Sequence, residues 1–325
     1  MLRRWARRAV SFPLLAISLF ALCALAPLLA AGLSIADLAR GARFAGVRGL
    51  LLLIWLLGCE VAGLLGALGL WLRDLARSPR GGETFLRANA ALQSWWNGLL
   101  FSGAARLFAL RVECEGGEAL SRGPILLLVR HASTGDALLP LLFGGPRGLA
   151  FRFVLKRGLL WDPCLDVVGQ RLPNAFVRRG SDPQGDLATL RSLATGLGPR
   201  DAVVLFPEGT RFSPARRAAL LETLERKGDR PALERARSLR RVLPPRSGGA
   251  LALLEAAPDT DVVFCAHRGL EGMRSVRDFG SGALVGAILR VRFWRVPRAQ
   301  VPDDRDQRLA WLHAEWTKVD AFAEA

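Results

Sequence analysis

Two short stretches of this sequence hold side chains able to move a proton or grip an anion. Residues 131–136 read HASTGD, which places His131 and Asp136 five positions apart, just past the apolar run Pro124–Val129. Such a run reads as a buried parallel strand. It would deliver the residues after it to the C-terminal edge of a sheet, where open α/β sheets bind ligands. A neutral imidazole, with a pKa near ~6.5, can take a proton from an alcohol, and base catalysis of that kind is typically worth about 10²–10⁴-fold. The base must be held in one tautomer, and Asp136 in a first helical turn can reach back to His131 on the preceding loop. Ser133 and Asp136 also fit a capping box, and an acid in a first turn suits the helix dipole. Taken alone, the stretch supports either role.

The second stretch, residues 201–211, reads DAVVLFPEGTR. Pro207 and Gly209 shape a sharp turn at the end of an apolar strand, and Glu208 and Arg211 leave that strand end together. The planar donor fork of Arg211 matches phosphate oxygens, while Glu208 can orient the fork or bond a substrate hydroxyl. The bland alternative is a turn with a surface ion pair. No GxSxG and no GxxxxGK[ST] occurs. The three histidines, at 131, 267 and 313, lie too far apart for a zinc helix, so no metal site is expected. His267 again follows an apolar run and is a further candidate for lining the site.

HASTGD followed about seventy residues later by FPEGTR resembles the glycerolipid acyltransferase family, which includes the 1-acylglycerol-3-phosphate acyltransferases. Its signature is H-x4-D and F-P-E-G-T-R in this order. Between the two, Lys156, Pro163, Gly169, Phe176 and Arg179 fall where the family places a Lys, a Pro-Gly pair and an aromatic-x-x-Arg phosphate contact. A Pro-Arg-x-x-Gly turn follows at Pro245–Gly249, and the likeness spans roughly residues 85–270. The resemblance implies that His131, oriented by Asp136, deprotonates the hydroxyl of a lysophospholipid acceptor. The oxygen then attacks an acyl thioester of coenzyme A or acyl carrier protein, with no bound cofactor and no acyl-enzyme. Glu208, Gly209, Thr210 and Arg211 would position the acceptor, with backbone N–H groups near Gly209 as candidate oxyanion donors. Lys156 and Arg179 are candidates for the acceptor phosphate. Arg246 would contact acceptor or coenzyme A, or only serve its turn. Two departures bear on the acceptor: Arg130 stands where many members have Asn, and Arg178-Arg179 where many have an acid-Arg pair. Another acylated acceptor, such as a lyso-aminolipid, and an inactive lipid-binding relative are the competing readings.

The elements that must carry these residues alternate. Apolar runs at Pro124–Val129, Ala150–Leu155, Ala175–Val177, Ala202–Phe206, Val262–Ala266 and Ile288–Trp294 read as strands, with helical periodicity between most of them. This predicts a single α/β catalytic domain over residues 85–325, a mostly parallel sheet flanked by helices. Residues 303–323 predict an acid-capped amphipathic helix with Leu309, Leu312, Trp316 and Val319 on one face.

Residues 1–80 read differently. Ala9–Ala36 carries no charge and Gly49–Leu72 only Glu60, each long enough for a helix to cross a membrane. A two-helix membrane hairpin is expected. A cleaved signal peptide is the rival for the first run, but that run is long for one and a second follows at once. Arginines at 3, 4, 7 and 8 and at 73, 77, 80 and 87 slightly outweigh those at 40, 43 and 48. That bias places both ends, and the catalytic domain, on the cytoplasmic side. A shallow pair of helices in one leaflet is the alternative. Trp95 and Trp96 suit the membrane–water interface. The net charge of +16 calls for anionic partners, membrane lipids and a phosphorylated acceptor. Nucleic acid is not among them, because the arginine-rich segment 213–249 has no interleaved aromatics and no nucleic-acid-binding signature. Five cysteines without a CxxC pair read as free thiols.

Overall fold

The computed structural model describes residues 2–76, 81–177, 183–273 and 276–325. Among them, seven strands form one sheet: β1 (Arg111–Glu115), β2 (Ile125–Val129), β3 (Ala150–Lys156), β4 (Ala175–Val177), β5 (Asp201–Leu205), β6 (Asp261–Arg268) and β7 (Ile288–Val296). Their order is β1-β7-β6-β2-β5-β3-β4. Neighbours pair in parallel except β6 and β7, so β7 and its parallel partner β1 run against the rest. The mostly parallel α/β sheet expected from the sequence is the observed one.

Central β2 is buried along its whole length, which is why ILLLV shows no polar alternation. Its side chains still alternate between two core layers. Leu126 and Leu128 join Val203, Val262 and Phe264 under helices α5 (Pro183–Ala194), α8 (Ser247–Ala256) and α9 (Arg305–Glu324). Ile125, Leu127 and Val129 join Phe151, Val204 and Leu139 on the other face, under α3 (Gly82–Phe108) and α4 (Leu138–Gly144). Helix α9 follows its prediction: Asp304 caps it by accepting the Asp306 and Gln307 N–H groups, and Leu312, Trp316 and Val319 are wholly buried.

Strand β1 has no counterpart in the sequence reading. RVECE is exposed throughout and holds its edge through two cross-strand ion pairs, Glu113 with Arg290 and Glu115 with Arg292. Edge strands carry charge because an apolar edge invites further pairing, and that charge hides the period-2 signal.

The arginine-rich segment folds as α6 (Pro214–Lys227) and α7 (Arg230–Ser238), capped by Ser213 and Asp229, each with Pro in the first turn. After α7 an extended strap runs beneath α9. The nearly buried Asp320 carboxylate accepts the backbone N–H groups of Arg240, Arg241 and Val242, and Trp316 donates to Leu243 O at 3.0 Å.

The two apolar runs form helices longer than predicted, α1 (Leu2–Arg40) and α2 (Ala45–Leu75), both long and apolar enough to cross a membrane by length and composition. Buried Asp37 accepts the Val47 N–H at 3.1 Å and so caps the start of α2. Helix α2 packs along the flank of the sheet domain. Leu52 joins Phe108 and Leu284 towards one end, and Ala67 joins Val168 and Leu172 towards the other. The hairpin is fastened at both ends: Arg7 and Arg8 pair with buried Asp166, and Gly282 packs on Ala42.

Candidate active site

His131 follows β2 at the C-terminal edge of the sheet, and Asp136 lies in the short turn that opens α4. Nδ1 of His131 is 3.1 Å from Asp136 Oδ2, and the same oxygen accepts the Ala132 and Ser133 N–H groups at 2.6 and 2.7 Å. The Ser133 hydroxyl donates to Oδ1. One carboxylate therefore organises the turn, in the manner of a capping box, and faces the imidazole as well. The two readings of HASTGD are compatible. Burial works against ionised Asp136, yet His267, His131 and Ser133 hold its pKa below the ordinary carboxylate value.

The FPEGTR turn grips His131 from the other side. Phe206 packs on the imidazole with ring centroids 4.5 Å apart, and Phe212 N–H donates to His131 O at 2.6 Å. Glu208 is 2% exposed; its Oε1 accepts the His131 N–H at 2.7 Å and its Oε2 the Leu243 N–H at 2.8 Å. Burial pushes this carboxyl up to about 8, while the Leu243 and His131 N–H groups and Arg130 pull against the rise. The expectation that Glu208 bonds an acceptor hydroxyl meets a different placement: both oxygens are spent on backbone, tying the His131 loop to the strap. Glu208→Gln should lose one of those acceptors, because an amide nitrogen cannot accept. The expected cost is about 1–3 kcal/mol, read as a lower unfolding midpoint in denaturant.

Gly209 has φ +68°, and a Cβ there would lie 2.8 Å from Arg246 Cδ, so glycine allows the exposed Arg246 side chain to lie across the turn. Its N–H donates to Phe206 O at 3.0 Å, which removes it as an oxyanion donor. Thr210 and Arg211 are half-buried on the same turn. Lys156 ends β3 and, with Arg7 and Arg157, lines an open cationic cleft of about 590 Å³. Arg179, expected beside it, lies outside the described residues.

Arg130 and His267 both lie deep in the protein beneath the catalytic turn. Arg130 is wholly buried; it ion-pairs Glu271 at 2.6 Å and donates to the carbonyls of His267 and Arg241. It ties the loop before His131 to β6 and to the strap. His267 is also wholly buried, with Nε2 3.1 Å from Arg130 O and 3.4 Å from Asp136 Oδ1, so it backs the carboxylate from the side opposite His131. Burial pushes its pKa below the ordinary 6.5, with Asp136, the Arg130 carbonyl and Glu271 opposing and the Arg130 charge assisting. An unfolded chain protonates this ring below pH 6.5, whereas the folded chain resists, so its contribution makes stability fall as pH drops below that value. His267→Gln should flatten that acid slope, as measured by denaturant unfolding at several pH values between about 5 and 7.

A large cavity of about 640 Å³ opens beside the catalytic turn, bounded by α1, α2, α3, α4 and β3 and reaching the turn through Thr134, Ala137 and Leu138. Leucine is its commonest wall residue, and its size falls within the range of about 300–1,000 Å³ usual for ligand sites.

Residues 111–267 match a family model described as Acyltransferase. A search of curated proteins finds no match. Among solved structures the chain is similar to the crystal structure of the 1-acyl-sn-glycerophosphate (LPA) acyltransferase, PlsC, from Thermotoga maritima. The TM-score is 0.53 at 14% identity, covering 84% of this chain and 95% of that one. At that identity the likeness concerns the fold. The matched span holds HASTGD, FPEGTR and the strands β2 and β5 that lead into them, so residues 111–267 form an acyltransferase domain and the chain is an acyltransferase.

Proposed function

We propose that this enzyme moves a fatty acyl group from acyl-CoA or acyl-ACP to the free hydroxyl of a lysophospholipid, with lysophosphatidate the acceptor that best fits. The observation that carries the reading is the His131–Asp136 contact at 3.1 Å, which engages Nδ1 and leaves Nε2 for a substrate proton. The His131 side chain is 16% exposed, enough to meet a hydroxyl while its other faces are packed.

Nε2 takes the hydroxyl proton as the oxygen attacks the thioester carbonyl carbon. The tetrahedral intermediate collapses, the C–S bond breaks, and the imidazolium returns the proton to the departing thiolate. An ester and a free thiol result, and no covalent enzyme intermediate is required. Asp136, kept ionised by its partners, stabilises the transient imidazolium. Phe206, Glu208 and Phe212 hold the base in place. Lys156, Arg211, Arg246 and Arg179 supply cationic groups for the acceptor phosphate or for the donor.

We further propose that residues 1–80 anchor the enzyme and residues 85–325 form its catalytic part, with the hairpin lying in one leaflet. Exposed apolar side chains on α1 and α2, among them Leu14, Ile17, Phe20, Leu28, Leu65 and Leu72, make a surface suited to lipid. A crossing hairpin would carry the flank of the catalytic domain into hydrocarbon, because α2 packs on that flank from Leu52 to Ala67. The basic surface favours the anionic cytoplasmic leaflet.

Membranes containing the enzyme, given labelled palmitoyl-CoA or palmitoyl-ACP, should form phosphatidate from lysophosphatidate. Silence on that acceptor together with turnover of an uncharged or amino-containing lysolipid would replace lysophosphatidate in this reading.

A further inference from the structure

A second cleft, of about 560 Å³, adjoins the catalytic loop. Arg130 and Phe212 line it, and both touch that loop: Arg130 immediately precedes His131, and Phe212 N–H donates to His131 O. Four further arginines surround it. Arg217 comes from α6, Arg240 and Arg241 from the strap, and Arg268 from the end of β6.

Little of this charge is neutralised. Glu271 also lines the cleft, but it pairs with Arg130 at 2.6 Å. Arg217 is braced by the carbonyls of Leu239 and Arg237, which orient the guanidinium and leave its charge in place. Arg240 meets the exposed Glu324 at 2.9 Å, a kind of surface pair worth little. Among the described residues Arg241 and Arg268 make no ion pair; Arg268 lies over the Phe322 ring at 5.8 Å. Like charges gathered around one concavity repel, and a bound polyanion relieves that cost. Guanidinium forks match phosphate oxygens in particular.

The position of the cleft says which phosphates these are. Leu239 and Val242 of the strap belong to the core layer under α5, α8 and α9, whereas α1 and α2 close the large cavity together with α3 and α4 on the other face. The cleft therefore stands apart from the lipid-facing helices and suits a ligand that arrives from water. Lys156, the candidate for the acceptor phosphate, ends β3, which β5 separates from β2 and β6. A volume of this size holds a small ligand. We propose that this cleft binds the phosphorylated nucleotide end of coenzyme A, its arginines on the diphosphate and the 3′-phosphate, so that acyl-CoA is the donor. The inference rests on the acyl-transfer reading above.

Adenosine 3′,5′-bisphosphate, which carries phosphates of that end and no thioester, is the probe. In the full-length enzyme it should compete with palmitoyl-CoA and not with lysophosphatidate. Arg241→Ala and Arg268→Gln should each raise the KM for palmitoyl-CoA at least about tenfold and weaken the probe in step, with kcat and the KM for lysophosphatidate nearly unchanged. Arg241→Ala should fold, because the residue is exposed and its backbone keeps the bonds to Asp320 and Arg130; thermal unfolding checks both variants. An unchanged palmitoyl-CoA KM in both, a rise in the lysophosphatidate KM instead, or turnover of palmitoyl-ACP with palmitoyl-CoA idle overturns the proposal. Should neither donor be used with any lysolipid, the acyl-transfer reading fails. The cleft is then judged by calorimetric titration with coenzyme A: binding that weakens about tenfold in Arg241→Ala supports the site, and absent or equal binding overturns it.

Discussion

His131→Ala should lower acyl transfer by about 10²–10⁴-fold, the usual range for a general base, while leaving thermal unfolding nearly unchanged. The two readouts separate because the groups that organise the turn do not need the ring. Asp136 keeps the Ala132 and Ser133 N–H groups, and Glu208 and Phe212 bind the backbone of residue 131, which alanine retains. What disappears is the imidazole between Asp136 and Phe206. Turnover by radiolabelled acyl transfer and unfolding by calorimetry decide the matter. Near-normal activity in a folded variant would remove His131 as the base.

Asp320→Ala should be the most damaging single change to stability away from the reacting residues. Its carboxylate accepts three consecutive backbone N–H groups of the strap, and the residue is 4% exposed. Orphaned buried donors cost about 1–3 kcal/mol each. Water can reach exposed Arg240, so a total of about 3–5 kcal/mol is expected. At roughly 2–4 °C per kcal/mol for large domains, Tm should fall by about 10 °C. Activity should fall too, because Leu243 of the same strap supplies one N–H to Glu208 and Arg241 supplies a carbonyl to Arg130. Asp320→Asn, which retains one accepting oxygen, should lose less. Equal Tm values for wild type and Asp320→Ala would show that the strap holds itself.

The sequence discloses the elements whose burial is lopsided or complete. β2 reads plainly because both its faces are covered, and α9 because Leu312, Trp316 and Val319 recur at helical spacing. The direction of β7 is not legible, since the stretch between β6 and β7 carries no hairpin signal and is long enough for a crossover. β1 is hidden by the charges that hold its edge. The His131–Asp136 spacing is local and visible. The direction in which Glu208 faces is not, because a strand-end carboxylate serves equally well in solvent or beneath a strap, and its partner Leu243 lies 35 positions away. Arg130 misleads for a similar reason: an arginine reads as surface until its salt-bridge partner Glu271, 141 positions on, is in place.

The doubly fastened hairpin has a practical consequence. Ser11, Leu14, Leu15, Leu56 and Leu57 are wall residues of the large cavity as well as parts of α1 and α2. A shortened chain beginning near residue 81 would not be a soluble version of the enzyme. It would open that cavity to water and uncover Phe108, Leu284, Val168 and Leu172, all of which now rest against α2. Aggregation and loss of the cavity would arrive together, because the hairpin and the cavity wall are one piece of protein.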